Sequence, residues 1–398
     1  MGQASEPASA VVETRDETAG EVEFTDGVTA IVRGALEAGC DFFAGYPITP
    51  ASGILVQLLH ELPRRGGVAV QAEDEIASLG LCLGAAMCGA RALTATSGPG
   101  ISLSSENVGL AIMGEVPVVI VDVQRAGPAT GGATSVGQGD VQFVRWGTSG
   151  GYPILALAPS NVPECRALTR RAFALAARFR SPVFLLADKE LALTATAVTR
   201  AEEAEADVLC ALPDDGVPQP APPAVEFRPY RYEPAAGVPP LVPLGGDELV
   251  RFTGSSHDER GFLTKDPAQV GALNRHLVAK VEAHAASLEL TRLDAQEGAR
   301  TLLVSYGVTA GAMRAAARLV RATGGCVSTL TLLSLWPLPE RALRAAAAGV
   351  ARVVVAELNW GDLRREIERL LGASVEVVGV NRVDGEALAP ATIAAEAR

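Results

Sequence analysis

The six cysteines form no CxxC or CxxxC and the four histidines form no HxxxH pair. No spacing suits zinc or an iron–sulfur cluster, so the chain is expected to hold no metal of its own and to keep its cysteines as free thiols. No apolar run reaches the roughly 20 residues needed to span a bilayer. The first 21 residues are polar and acidic and lack the basic start and apolar core of a signal peptide; a disordered tail on a cytoplasmic protein is expected. Basic residues are scattered and the net charge is −12 with a pI near 5.0, which argues against nucleic acid as a partner. No GxxxxGK[ST] occurs, so no Walker-type phosphate loop is present.

What remains is a globular composition, 48% hydrophobic and 20% charged over 398 residues, enough for two or three domains with real cores. Two stretches stand out. Gly45-Tyr46-Pro47-Ile48-Thr49-Pro50-Ala51-Ser52 follows the short apolar run Cys40–Ala44 and precedes the helical pattern Gly53–Leu62. It reads as a stiff strand-to-helix turn, with Thr49 or Ser52 able to cap the helix. Such turns are where open α/β sheets place ligands, although a rigid loop without chemistry has the same pattern. Ala72-Glu73-Asp74-Glu75-Ile76-Ala77 then puts three acids at the front of a small-residue helix, Glu75–Ala90. Compensation of the helix dipole accounts for Glu73 and Asp74; it accounts less well for Glu75, which lies against the part that must be buried.

Strand and helix patterns alternate through about residue 195. A helix is expected over Glu23–Gly39, strands at Val68–Gln71, Ala92–Thr96, Pro117–Val123, Pro153–Ala158 and Pro182–Asp188, and a helix over Val162–Ala177. A helix from the Ser97–Gly100 turn to Met113 is also expected. The fold class is thus α/β, a doubly wound parallel sheet in which Thr49, Ser97 and Arg125 fall on loops at one sheet edge. The Gly/Thr/Ser/Gln loop Thr130–Gln142 is a lid or a surface connection. Ten prolines between Pro213 and Pro243 mark a linker. A helix is expected over Asn274–Leu290, then a second βαβ unit from about Ala299, with strands at Thr301–Gly307, Val327–Leu333 and Val353–Glu357. Helices are expected at Thr309–Thr323, Arg341–Ala348 and Asp362–Leu371.

In order, Tyr46-Pro47-Ile48-Thr49-Pro50, Glu73-Asp74-Glu75-Ile76-Ala77, Thr96-Ser97-Gly98-Pro99-Gly100, Val121-Asp122-Val123-Gln124-Arg125, Arg251-Phe252-Thr253-Gly254, His257-Asp258-Glu259 and Val355-Ala356-Glu357-Leu358-Asn359 form a set. The set resembles the α subunit of 2-oxoacid:acceptor (ferredoxin) oxidoreductases, nearest the 2-oxoglutarate type, over residues 22–395. The resemblance implies a disordered tail (1–21), a thiamine-diphosphate-binding, pyrimidine-type domain (22–198), a Pro-rich connection (199–298) and a transketolase C-terminal-like α/β domain (299–398). It implies oxidative decarboxylation of a 2-oxoacid with coenzyme A to an acyl-CoA and CO2, with electrons passing to ferredoxin. Thiamine diphosphate would be shared with a separate β subunit that carries Mg2+ and a [4Fe-4S] cluster. An αβ pair doubled into a heterotetramer is expected, with separate γ- or δ-type subunits also open.

Residue by residue, the resemblance makes Glu75 the catalytic glutamate that hydrogen-bonds N1′ of the cofactor's aminopyrimidine. Thr49 and Arg125 match the residues that hold the substrate carboxylate, and Tyr46, Pro47, Ser97 and Gly98 line the cofactor. His257 reads as an interdomain contact. Thr148-Ser149-Gly150-Gly151 stands where close relatives carry His-Gly-Asp or His-Gly-Glu, a departure on the side of the substrate side chain. A non-catalytic scaffold subunit, or an enzyme for pyruvate or a branched-chain 2-oxoacid, are the competing readings. The Gly-Asp-Gly…Asn pattern of single-chain thiamine enzymes is missing, which favours a partner subunit.

Overall fold

A computed structural model of the chain describes residues 22–213, 219–220 and 227–397. The expected tail (1–21) and parts of the Pro-rich stretch lie outside the described residues. The elements run β1 (Val22–Thr25), α1 (Gly27–Glu37), β2 (Phe42–Gly45), α2 (Ser52–Arg64), β3 (Val68–Gln71), α3 (Glu75–Met87), β4 (Ala92–Thr96), α4 (Gly98–Leu103), α5 (Ser105–Met113), β5 (Val118–Gln124), α6 (Val141–Trp146), β6 (Leu155–Leu157), α7 (Val162–Phe179), β7 (Pro182–Asp188), α8 (Lys189–Leu193), β8 (Thr196–Thr199) and α9 (Arg200–Cys210). After the connection come α10 (Pro267–Glu282), α11 (Ala285–Leu288), β9 (Thr291–Asp294), β10 (Thr301–Tyr306), α12 (Thr309–Ala322), β11 (Val327–Leu332), β12 (Ser334–Trp336), α13 (Glu340–Ala346), β13 (Arg352–Glu357), α14 (Asp362–Leu371), β14 (Glu376–Asn381) and α15 (Pro390–Glu396). No described helix is long and apolar enough to cross a membrane.

The larger sheet has the order β12-β6-β7-β5-β4-β2-β3. From β6 to β3 every pairing is parallel, as the near-continuous apolar strands require when helices cover both faces. β5 is buried along its whole length at the centre of the sheet. The smaller sheet, β14-β13-β10-β11-β9, is parallel except for β9. β12 leaves the second unit and pairs antiparallel with β6, so the two units share the larger sheet.

Several elements differ from expectation for identifiable reasons. The start of the Glu23–Gly39 pattern is β1, because Val22–Thr25 pairs with β8; the helix begins after Asp26, whose carboxylate caps Thr29 N at 2.7 Å. Neither Thr49 nor Ser52 caps α2: its N-cap is Ala51, with no side-chain hydrogen bond. The Ser97–Met113 helix breaks at Ser104 into α4 and α5. The beginning of the Pro-rich stretch is helical, since Thr199 and Glu202 form a capping box and α9 packs on α7 through Asp207 and Arg170 at 2.9 Å. The helix expected over Asn274–Leu290 starts earlier, at Pro267, and ends at Glu282.

The connection is clamped to the first unit by buried charge. Glu115, fully buried with φ of 49°, takes Lys280 Nζ at 2.6 Å and His276 Nε2 at 3.2 Å on one carboxylate oxygen. Arg180 reaches the Glu115 carbonyl at 3.1 Å and the carbonyls of Pro229 and Pro240 at 3.1 and 2.7 Å. Tyr232 stacks on His276, and the Tyr230 ring lies tilted against His257. His257 is therefore an internal contact of this connection, with Nδ1 2.8 Å from the Ser255 carbonyl.

Candidate functional site

The loops after β2, β3, β4 and β5 all leave the same edge of the larger sheet, which sets the four conspicuous segments side by side. On the β3 loop, capping is the work of Asp74: its carboxylate accepts Ala77 N at 2.7 Å, and its carbonyl accepts Ser78 Oγ at 2.7 Å. Glu73 is exposed. Glu75 is thereby released from capping and turned inward, where it is 6% exposed on the face of α3 that carries Leu79, Cys82 and Leu83. Its carboxylate has no hydrogen-bond or ion-pair partner among the described residues. The β4 loop reaches it closely: a Cβ on Gly100 would lie 2.6 Å from Glu75 Cγ and 1.9 Å from Thr96 Oγ1, so only glycine fits there. Ser104 Oγ bonds the Glu75 carbonyl at 3.3 Å.

Arg125 directly follows β5 and is 5% exposed. Its Nη1 donates to the Thr49 carbonyl and its Nη2 to the Thr130 carbonyl at 3.1 Å, while its Nε is buried without a partner. No carboxylate pairs with it among the described residues. A guanidinium held in place by neutral carbonyls keeps its charge for an external carboxylate. The structure thus brings Arg125 and Thr49 together, but through the Thr49 backbone; the residue itself is exposed, as are Tyr46 and Pro47. Ser97 is fully buried with its hydroxyl unpartnered, and Gly98 opens α4 with Asp140 Oδ2 3.7 Å from where a Cβ would sit.

Beneath these loops lie acids that composition alone does not single out. Asp122 in β5 and Asp140 before α6 face each other, with both Asp122 oxygens and Asp140 Oδ2 buried and, apart from the Gly98 N–H beside Asp122, no donor near them among the described residues. Two carboxylates so placed satisfy one another only with a proton between them. Burial and the neighbouring Asp140 push Asp122 well up, so Asp122 carries that proton; burial raises Asp140 to about 6 against the pull of Asp122's hydrogen bond and of Arg125. Asp188, at the end of β7, is raised to about 7 by burial, with the Val308 N–H at 2.6 Å and Gln138 acting the other way. Between pH 4 and 7 the native protein therefore binds a proton at Asp188 that the unfolded chain has released, and stability falls as pH rises through that window. Asp188→Asn keeps an acceptor for Val308 and removes this slope. Its stability relative to the parent should rise by about 2.5 kcal/mol between pH 5 and 8 in urea unfolding. Parallel curves for the two proteins would remove Asp188 from the pH dependence.

The segment Thr130–Gln142, open beforehand as lid or surface connection, runs over the surface at Thr130, Gly131 and Thr134 but turns inward at Val136–Gln138. Val136 is 5% exposed and Gln138 fully buried, both against the second unit. The only sign in the sequence was polar residues inside apolar runs: Asp122 within Val118–Val123, and Asp188 after Leu185-Leu186-Ala187.

Comparison with known proteins places this geometry. The family described as pyruvate flavodoxin/ferredoxin oxidoreductase, thiamine diphosphate-binding, matches residues 33–267, and pyruvate:ferredoxin oxidoreductase core domain II matches residues 299–393. The chain is 37% identical over 374 residues to the 2-oxoglutarate synthase subunit KorA of Methanothermobacter thermautotrophicus, covering 94% of this chain and 97% of that protein. Among solved structures, 2-oxoglutarate:ferredoxin oxidoreductase from Magnetococcus marinus, with 2-oxoglutarate, coenzyme A and succinyl-CoA bound, superposes with a TM-score of 0.86 at 30% identity. That match covers 95% of this chain and 65% of the other. A split-gene transketolase shares the fold alone, with a TM-score of 0.54 at 15% identity.

Proposed function

The chain belongs to the pyruvate flavodoxin/ferredoxin oxidoreductase family, and from that membership we propose that it is the α subunit of a thiamine-diphosphate-dependent 2-oxoglutarate:ferredoxin oxidoreductase. In this reading 2-oxoglutarate and coenzyme A are converted to succinyl-CoA and CO2. The two electrons leave for ferredoxin through a β subunit that brings the [4Fe-4S] cluster and the Mg2+ site. The single observation that carries it at the level of residues is Glu75, a buried carboxylate with no partner among the described residues at the mouth of four converging loops. It fits a cofactor that presents a hydrogen-bond donor to an apolar pocket.

Thiamine diphosphate, when bound, supplies the electron sink for loss of CO2. Glu75 holds the aminopyrimidine N1′ proton. Arg125 binds the 2-oxoacid carboxylate, with Thr49 and Thr130 fixing the guanidinium plane through their carbonyls. Tyr46 and Pro47 form the exposed rim, and Ser97 and Gly98 the floor, of the cofactor pocket. Arg125→Ala should raise KM for 2-oxoglutarate about 10- to 100-fold, the loss of one charge-assisted contact. An unchanged KM would place Arg125 outside the substrate site.

The overall test is co-expression with the β subunit, anaerobic purification and a 2-oxoacid screen with coenzyme A and a viologen acceptor. Thiamine-dependent viologen reduction with 2-oxoglutarate is the expected result. Reduction with pyruvate or a branched-chain 2-oxoacid instead would reassign the substrate and direct attention to Thr148–Gly151. A complex that binds thiamine diphosphate and reduces nothing would favour the scaffold reading.

A further inference from the structure

The second unit is built into the substrate end of the site. The segment that follows Arg125 folds back on it: Ala126 N bonds the Ser135 carbonyl at 2.9 Å, Gly132 N bonds the Ala126 carbonyl at 2.7 Å, and the Thr130 carbonyl takes Arg125 Nη2. A Cβ on Gly137 would lie 2.8 Å from Ala126 Cα, so the returning strand presses on the backbone that carries the guanidinium. Beyond these bonds, the far end of the loop is anchored in the second unit. Val136 is buried in the core formed by Leu303, Met313 and Val354 of the second unit. Gln138 then spends most of its polar groups on that unit, with its amide also beside Asp188 of β7. Its N–H goes to the Leu358 carbonyl at 2.9 Å, and its carbonyl accepts Asn359 Nδ2 at 2.8 Å. Its Oε1 accepts Leu358 N at 2.9 Å and Thr309 Oγ1 at 3.0 Å, and its Nε2 donates to the Tyr306 carbonyl at 3.3 Å. Asn359 is itself fixed by Gly361 N and Asp362 N, at 2.9 and 3.0 Å, at the start of α14.

We propose that Gln138 is a positioning residue for substrate binding: the second unit, through the Gln138–Asn359 clasp, holds the 126–137 loop that orients Arg125. The inference rests on Arg125 as the carboxylate-binding residue. Three strand ends and helix starts of the second unit converge on one glutamine amide, which makes the loop's position depend on that unit's docking rather than on its own glycine-rich sequence. No hydrogen bond joins the clasp to Glu75, at the start of α3, among the described residues.

The experiment uses the assembled αβ enzyme loaded with thiamine diphosphate. Gln138→Ala should raise KM for 2-oxoglutarate about 10-fold while kcat at saturating substrate stays within about threefold and cofactor affinity is unchanged. In the Arg125→Ala background, Gln138→Ala should add little, because both act on one contact. A normal KM in Gln138→Ala, with Arg125→Ala still impaired, overturns the positioning role alone. A normal KM in Arg125→Ala overturns the reading of Arg125 first, and the inference with it. Additive losses in the double variant also overturn it, since Gln138 would then act elsewhere. If Gln138→Ala does not assemble, Thr309→Val removes one donor to the amide and should raise KM about threefold, whereas Thr309→Ser keeps the donor and should not.

Discussion

Glu75→Gln in the assembled enzyme should lower turnover by about 1,000-fold, in the range by which a positioned acid–base group contributes. The substitution keeps the size and shape that Gly100 and Thr96 leave for the side chain, so α3 and the β4 loop should stay in place. Asp74 keeps the cap of α3, so loss of the Glu75 charge does not unravel the helix. What changes is the group facing the cofactor: an amide cannot share the aminopyrimidine N1′ proton as a carboxylate does. Gel filtration with the β subunit and thiamine diphosphate titration should report an intact complex. Near-normal viologen reduction by the variant would remove Glu75 from the mechanism.

The largest effect on stability is expected at the clamp on the connection. Burial alone would push Glu115 up, but Lys280, His276 and Arg180 outweigh it and hold its carboxylate well below the usual range. The group is therefore ionised where water does not reach. Lys280→Met leaves that carboxylate with its nearest cation gone and should cost about 3–5 kcal/mol, the usual penalty for breaking a buried pair. The double variant Glu115→Gln, Lys280→Met should lose less than the single one, because no unpaired charge is left behind. Urea unfolding of the three proteins measures both statements. A Lys280→Met protein as stable as the parent would mean that water enters the cluster.

The fold was legible where one physical signal dominated. β4 and β7 fall on the residues that their apolar runs mark, because strands buried on both faces have few other ways to be written, and α14 falls where Leu363, Ile367 and Leu370 recur at helical spacing. Glu75 was legible as an acid that the helix dipole alone did not explain, and the inward turn of its side chain agrees with that. Legibility failed where long-range pairing decided the outcome. Val22–Thr25 is strand only because Thr196–Thr199 lies beside it. Ser334–Trp336 is too short to read and becomes strand only against Leu155–Leu157. Thr49, open as a helix cap beside Ser52 and matched to the substrate carboxylate, makes no cap and offers its carbonyl to an arginine 76 positions along the chain. Gln138 sat in a loop that looked too polar for any interior; its polarity is what the second unit's strand ends consume. The acids Asp122 and Asp188 were visible, but nothing in a linear pattern indicates that strands β5 and β7 would set them in one dry layer.

The antiparallel pairing of β12 with β6 also bears on how the molecule is made. During synthesis the strands up to β7 can assemble as soon as they emerge, yet the outer edge at Leu155–Leu157 stays open until residue 336 has left the ribosome. For that interval the nascent chain presents unpaired backbone donors and acceptors on an apolar strand, the kind of edge to which a stray strand adds. Completion of the larger sheet thus waits on translation of the second unit, and the chain's exposure to misassembly is set by elongation time as well as by its own stability.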